Sequence, residues 1–108
     1  MQLYGLKNCD TTRKALKTLR EAGLEVTYID VRKDGVPSDL LSWLLVAFGD
    51  ALVNKRSTSW RSLSDSERAA DAHALLLEHP TLMKRPVIHT GEDFYLGWNA
   101  EVEAALLG

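Results

Sequence analysis

The strongest constraint on the fold is a strand, helix and strand pattern in roughly the first 31 residues. Leu3–Leu6 is a short apolar stretch that predicts a strand. From about Thr11, apolar residues recur at helical spacing, and Gly23 ends the predicted helix. Val26–Val31 is rich in β-branched and aromatic residues and predicts a second strand. The two strands should therefore be parallel and joined by a right-handed crossover.

The rest of the chain predicts more helices, then an antiparallel hairpin and a closing helix. The expected elements are a helix from Pro37 or Ser38 to Gly49, a helix opened by a capping box at Ser64–Glu67 and continuing through Leu77, strands Val87–Thr90 and Phe94–Leu96, and a helix capped by Asn99. We therefore predict one α/β domain over residues 1–108. Periodicity alone is compatible with a few α/β folds. The order of elements is that of a thioredoxin-like fold, with a mixed four-stranded sheet, helices on both faces and an inserted helical segment.

Composition and charge exclude several classes of protein. Apolar residues make up 45% of the 108 residues and charged residues 26%, which is typical of a globular domain. The net charge of -2 predicts no general affinity for nucleic acid or for an anionic membrane. No apolar run approaches the roughly 20 residues of a membrane span, and no signal peptide is evident. We expect a cytoplasmic protein, in which the single cysteine forms no internal disulfide.

That cysteine, Cys9, stands where the first helix is predicted to begin. The unpaired N–H groups and the macrodipole at a helix N-terminus favour a thiolate. Cys9 could instead be a small buried hydrophobic residue, as lone cysteines often are. The neighbouring residues favour a polar helix entrance and a reactive thiol. They are Asn8, Asp10, Thr11 and Thr12, together with the cations Lys7 and Arg13.

Arg56 and Arg85 are candidates for binding the negative part of a substrate. A guanidinium has a fixed charge and a planar fork that suits an oxyanion or a carboxylate. Either arginine could equally be a solvated surface residue. Arg85 precedes Pro86 at the start of a predicted strand, where the peptide bond could be cis, although cis bonds are a small minority of X-Pro bonds.

Other chemistry is not indicated by the sequence. The three histidines, His73, His79 and His89, lack the spacing of a metal site, so we expect no metal. The three tryptophans, Trp43, Trp60 and Trp98, are expected to be core residues or pocket walls. No glycine-rich phosphate loop is present.

Taken together, the motifs resemble the glutathione- and glutaredoxin-coupled arsenate reductase family, which includes the Spx-type regulators. The resemblance spans nearly the whole chain, and its nearest counterpart is a small bacterial branch of glutathione-dependent thiol reductases. The residues that carry it are Asn8-Cys9-Asp10-Thr11-Thr12-Arg13-Lys14-Ala15, Asn54-Lys55-Arg56-Ser57-Thr58-Ser59-Trp60-Arg61, Lys84-Arg85-Pro86-Val87 and Leu96-Gly97-Trp98.

This resemblance implies a function and a set of site residues. Cys9 is then the nucleophile, Arg56 and Arg85 line its site, and Pro86 is a cis-proline at the start of a strand. Glutathione is the implied co-substrate and glutaredoxin a further partner, with a monomeric protein expected. The residues implied to contact substrate or glutathione are Asn8, Thr11, Thr12, Arg13, Arg56, Arg85 and Pro86.

Two departures from the family pattern leave alternatives open. Arsenate-reducing members carry a third arginine near the final hairpin, whereas Val87–Gly108 contains no arginine or lysine. The regulators usually carry a Cys-x-x-Cys switch, whose second position here is Thr12. The favoured function is thiol–disulfide exchange. The alternatives are arsenate reduction and non-catalytic binding to RNA polymerase or another partner.

Overall fold

The computed structural model describes all residues, 1–108, and divides into two compact units. The sheet unit comprises Met1–Val31 and Arg85–Gly108, and the helical unit comprises Arg32–Lys84. The strands are β1 (Gln2–Gly5), β2 (Thr27–Asp30), β3 (Val87–His89) and β4 (Phe94–Leu96). The α-helices are α1 (Asp10–Glu21), α2 (Val31–Asp34), α3 (Ser38–Phe48), α4 (Thr58–Arg61), α5 (Asp65–Arg68), α6 (Ala72–Glu78) and α7 (Ala100–Leu107).

The sheet unit is built on a mixed sheet with the strand order β2-β1-β3-β4. β1 and β2 are parallel, whereas β3 is antiparallel to both β1 and β4. This confirms the predicted βαβ unit and C-terminal hairpin. The order and directions of the strands, with seven helices in the chain, give a thioredoxin-like fold.

One face of the sheet carries the core of the sheet unit. The register places Leu3 between Tyr28 of β2 and Ile88 of β3. Their neighbours are apolar side chains of α1 and α7, and the buried cluster consists of Leu3, Ala15, Leu19, Val26, Ile88 and Val102. Because α1 packs against this face, its N-terminus is fixed relative to the ends of the strands.

Both ends of α1 are defined by local sequence. Gly23 has a φ of 87°, which favours glycine, and its N–H bonds to the carbonyl of Arg20. The N–H of Leu24 bonds to the carbonyl of Leu19, so the predicted left-handed cap is confirmed. The helix begins one residue earlier than predicted, at Asp10, with Cys9 as its N-cap residue.

The helical unit consists of α2 to α6 and two 3-10 turns, Gly49–Leu52 and Pro80–Leu82. Leu41 and Leu44 of α3 are fully buried. Short helices are stabilised here by side-chain caps, which are Ser57 for α4, Ser64 for α5 and Asp71 for α6. The predicted capping box of Ser64 and Glu67 is confirmed.

Several sequence predictions are wrong in detail. The stretch from Ser64 to Leu77 is two helices, because Asp71 accepts a hydrogen bond from the N–H of Ala74 and so starts a new one. The second strand is shorter than predicted, since Val31 already belongs to α2. Trp43 is 65% exposed on α3, so it is not a core residue. No helix combines the length and apolar character needed to cross a membrane.

Candidate active site

Cys9 lies at the junction between the loop after β1 and the helix α1. Its backbone is extended, with a φ of -92° and a ψ of 119°, and its side chain makes no capping hydrogen bond. The N–H of Cys9 donates to the carbonyl of Leu6 at 3.0 Å, and its carbonyl accepts from the N–H of Arg13 at 3.0 Å. The backbone is thus fixed on both sides, while the half-buried thiol remains available for reaction.

Thr12 is the nearest polar neighbour of the thiol. Thr12 is only 1% exposed, and its hydroxyl oxygen has no hydrogen-bond partner of ordinary geometry in the chain. Both the hydroxyl and the backbone N–H of Thr12 lie close enough to the sulfur of Cys9 to stabilise its negative charge. The first turn of α1 therefore brings two donors to a single atom.

Gly5, the last residue of β1, allows the side chain of Thr12 to be buried against the strand. A Cβ atom built on Gly5 would lie 2.5 Å from both Oγ1 and Cγ2 of Thr12. Those distances are far shorter than van der Waals contacts between such atoms, so no other residue fits without displacing Thr12. The glycine is needed for close approach of helix and strand, and the sequence analysis did not predict this.

The charge state of Cys9 follows from competing effects. Burial of the sulfur is the largest single influence, and by itself it raises the pKa of Cys9. The hydroxyl and N–H of Thr12, followed by the guanidinium of Arg85, act in the opposite direction. Together they outweigh burial, so the pKa of Cys9 lies below its ordinary value. Cys9, Thr12 and Arg85 thus form one site, which the sheet unit brings together from distant parts of the chain.

The other predicted residues of the sheet unit lie around this site in different roles. Asn8 and Thr11 are exposed at the entrance of α1. Arg13 is also exposed and forms an ion pair with Asp10, one turn before it. The Arg85–Pro86 bond is cis, as the resemblance implies, and the carbonyl of Pro86 accepts a hydrogen bond from the N–H of Gly97 at 2.8 Å.

Tyr28 is a polar neighbour of Cys9 that the sequence analysis missed. Its hydroxyl oxygen is buried and has no hydrogen-bond partner of ordinary geometry. Burial raises the pKa of Tyr28, and the charges of Asp30 and of ionised Cys9 raise it further, whereas the N–H of Lys7 lowers it. The phenol is therefore protonated at neutral pH. Strand periodicity could have placed Tyr28 on the face towards α1, but not close to Cys9.

Arg56 belongs to the helical unit, where it follows the first 3-10 turn and is exposed. Its N–H donates to the side chain of Asn54 at 3.1 Å, and Ser57 then caps α4. Trp60, in the same motif, is half-buried, and the cations of Lys55 and Arg68 each lie 5.7 Å from its ring centroid. In neither unit do histidine, cysteine, aspartate and glutamate side chains group into a metal site.

The sequence model of the ArsC family matches residues 4–106. The chain belongs to the ArsC family. This membership, together with an arsenate reductase-related protein of known structure that is 33% identical, supports a family of thiol reductases.

Individual relatives agree with this family. An uncharacterized protein of Haemophilus influenzae is 42% identical over 109 residues, which cover 95% of this chain and 96% of that protein. An arsenate reductase-related protein from Brucella melitensis is 33% identical, with a TM-score of 0.72, over 95% of this chain and 91% of that one. A solved YffB protein is 28% identical, with a TM-score of 0.89, over 99% of this chain and 98% of that one.

Proposed function

We propose that the protein is a glutathione-dependent thiol–disulfide oxidoreductase with Cys9 as its nucleophile. The observation that supports this best is the lowered pKa of Cys9, caused by Thr12 and Arg85 against the opposing effect of burial. A thiolate, and not a thiol, attacks a disulfide. The half-buried sulfur at a helix N-terminus combines access with stabilisation of charge, as a nucleophile requires.

The proposed reaction has three exchange steps. The Cys9 thiolate attacks one sulfur of a disulfide, so that a mixed disulfide forms, the substrate S–S bond breaks, and the departing thiolate leaves with the electron pair and takes a proton from water. A first glutathione thiolate then attacks the Cys9 sulfur of the mixed disulfide, which releases the second substrate thiolate and leaves glutathione bonded to Cys9. A second glutathione thiolate attacks the sulfur of that bound glutathione, which releases glutathione disulfide and restores the Cys9 thiolate. Two glutathione molecules are oxidised to glutathione disulfide for each substrate disulfide that is reduced.

The remaining residues would bind the co-substrate. Arg85 would attract the anionic groups of glutathione as well as stabilise the thiolate, since a guanidinium pairs well with carboxylates. Asn8, Thr11 and the cis-Pro86 segment would contribute polar contacts, and Arg56 would be a second arginine, as the resemblance implies. The reaction needs a pool of reduced glutathione, so we propose a cytoplasmic, monomeric enzyme that glutaredoxin could assist.

The proposal is tested by incubating the protein with glutathione disulfide between pH 5 and 9 and measuring intact mass. We expect one added glutathione in the wild type and none in Cys9→Ser. In Arg85→Gln the rate at pH 6 should fall severalfold, with a smaller fall at pH 9, because less thiolate is present at low pH. Arg20→Gln, which changes an arginine at the other end of α1, should leave the rate unaffected.

The same experiment separates the alternatives. Slow adduct formation with an ordinary thiol pKa would contradict the proposal and favour a non-catalytic binding protein, whose capture of RNA polymerase should survive Cys9→Ser. Rapid adduct formation followed by turnover of arsenate, but not of disulfides, would favour the arsenate reductase. The absence of arginine and lysine from Val87–Gly108 argues against that outcome, because a doubly charged oxyanion needs several cations.

A further inference from the structure

Two buried hydroxyl groups, those of Thr12 and Tyr28, lie near the sulfur of Cys9. Disulfide exchange uses only the first of them, to stabilise the thiolate. Thr12 is 1% exposed, and neither hydroxyl oxygen has a hydrogen-bond partner of ordinary geometry in the chain. A buried polar group without a partner costs free energy, so both hydroxyl groups are expected to serve a reacting molecule.

The sheet unit fixes both hydroxyl groups relative to the sulfur. Thr12 lies one turn after Cys9 and packs so tightly against Gly5 that a Cβ there would lie 2.5 Å from its side chain. Tyr28 is paired with Leu3 in the sheet, and the charge of ionised Cys9 acts on its phenol. A helix and a strand thus each bring one hydroxyl group to the neighbourhood of the thiolate.

The acidity of Tyr28 suits a leaving oxygen and not a leaving sulfur. Burial first, and then the charges of Asp30 and Cys9, raise the pKa of Tyr28 above that of an ordinary phenol. A thiol has a pKa of about 8.5, so Tyr28 is too weak an acid to protonate a departing thiolate. Hydroxide is a much stronger base, since the pKa of water is about 15.7, and it takes a proton from even a weakly acidic phenol.

Other features of the site suit a small, uncharged oxidant. The half-buried sulfur admits a molecule of a few atoms more readily than a disulfide within a folded protein. Val87–Gly108 contains no arginine or lysine, and an uncharged substrate needs no cations from that segment. Because Cys9 is the single cysteine, no internal disulfide can form after the sulfur is oxidised.

We propose that Cys9 also reduces small hydroperoxides, with Thr12 donating a hydrogen bond to the peroxide and Tyr28 protonating the leaving oxygen. This inference rests on the proposed role of Cys9 as a nucleophile. The thiolate attacks the terminal peroxide oxygen, an S–O bond forms, the O–O bond breaks, and the leaving oxygen keeps the electron pair. That oxygen takes the proton of Tyr28, which regains one from water. The sulfur is oxidised to a sulfenic acid, and the peroxide is reduced to water or an alcohol.

Two further steps with a low-molecular-weight thiol, such as the glutathione of the proposed function, restore Cys9. A first thiolate attacks the Cys9 sulfur, the S–O bond breaks, and the hydroxide takes a proton and leaves as water. A second thiolate attacks the other sulfur of the mixed disulfide, which releases a small disulfide and the Cys9 thiolate. Two thiols thus supply the two electrons that reduce one peroxide.

The test compares the rates at which Cys9 reacts with hydrogen peroxide and with iodoacetamide, at one pH and without added thiol. The sulfenic acid is trapped with dimedone and measured by intact mass. Both reactions need the thiolate, so the ratio of the two rates cancels the fraction of thiol that is ionised. We expect this peroxide ratio to exceed that of free glutathione about 100-fold, because the donors stabilise only the leaving oxygen. Equal ratios in the protein and in glutathione would overturn the proposal.

Matched variants assign the two hydroxyl groups. Thr12→Val and Tyr28→Phe should each lower the peroxide ratio about tenfold or more. Thr18→Val, further along the same helix, and Tyr95→Phe, on β4, should keep the wild-type ratio. The rate with glutathione disulfide, divided by the iodoacetamide rate, should not change in Tyr28→Phe. A wild-type peroxide ratio in Thr12→Val or in Tyr28→Phe would overturn the role of that hydroxyl group.

This inference and the proposed function can fail separately. Rapid reaction with glutathione disulfide, together with an ordinary peroxide ratio, would overturn the inference and leave disulfide exchange intact. A raised peroxide ratio without any glutathione adduct would support the inference and contradict disulfide exchange.

Discussion

The sheet unit and the helical unit use charge in different ways. In the sheet unit, Thr12 and Arg85 act on one half-buried sulfur atom, and a buried core holds α1, the helix that carries Thr12. In the helical unit, Lys55, Arg56 and Lys84 surround an open cleft and have no acidic partner. The first arrangement suits chemistry at a single atom, whereas the second leaves its charges exposed to solvent. Substitutions in the helical unit away from Arg56, which is proposed to bind the co-substrate, should therefore leave the reaction of Cys9 unchanged.

The largest effect on stability is expected from Leu19→Ala. Leu19 is fully buried in the core of the sheet unit, so the variant loses apolar burial and leaves a cavity. The free energy of unfolding, measured by urea denaturation, should fall by about 2–5 kcal/mol. Leu16→Ala, at a partly buried position of the same helix, should lower the free energy of unfolding by less. Equal losses in the two variants would contradict the account of the core.

A smaller loss is expected from Gly5→Ala. The added Cβ meets the side chain of Thr12, and such overpacking typically costs about 1–3 kcal/mol. Displacement of Thr12 should also raise the pKa of Cys9, which couples strand packing to thiol chemistry. In a double-mutant cycle with Thr12→Ala, part of the lost stability should return, because the two closest contacts disappear. Strictly additive losses would show that Gly5 and Thr12 do not interact.

Ser64→Ala, in the helical unit, should lower the free energy of unfolding without changing the chemistry of Cys9. This change removes the hydroxyl that accepts a hydrogen bond from the N–H of Glu67, at 3.2 Å, in the capping box of α5. A lost N-cap costs about 1 kcal/mol, which urea denaturation can resolve. The reaction of Cys9 with glutathione disulfide should keep its rate and pH dependence. A changed pH dependence in Ser64→Ala would contradict the separation between the units.

Much of the sheet unit could be predicted because its signals are local. β-branched residues and Gly23 define β2 and the end of α1, and the cap residue Asn99 defines α7. The contact between Cys9 and Thr12 is also local, since one turn of a helix separates them. Arg85 is different, because the antiparallel pairing of β3 with β1 brings it to the thiol. The spacing of residues in the sequence does not indicate that pairing. The family resemblance did imply that Arg85 lies in the site of Cys9.

The helical unit was harder to predict because competing signals are close in strength. Ala69, Ala70 and Ala72 favour a continuous helix, but the side chain of Asp71 starts a new one. Trp43 looked like a core residue, yet on α3 the buried stripe is formed by Leu41 and Leu44. The cations of the cleft were visible in the sequence, but the bridge between Val53 and Met83 that joins their segments was not.

The central claim is that Thr12 and Arg85 stabilise the Cys9 thiolate, and one titration tests it. Because folding lowers the pKa of Cys9, the ionised thiol should stabilise the folded state. This contribution is fully present above the pKa of an unfolded thiol, about 8.5, and is lost as pH falls through the lowered pKa. Thr12→Val keeps the shape of the side chain but removes its hydroxyl, so it should raise the pKa of Cys9. Thr11→Val, at an exposed position, should not.

The measurement is the rate of alkylation of Cys9 by iodoacetamide between pH 4 and 10, in the wild type, Thr12→Val and Thr11→Val. The account predicts a midpoint below about 8.5 in the wild type and in Thr11→Val. In Thr12→Val the midpoint should move to higher pH. A wild-type midpoint at or above that of an ordinary thiol, or one that Thr12→Val leaves unchanged, would contradict the account.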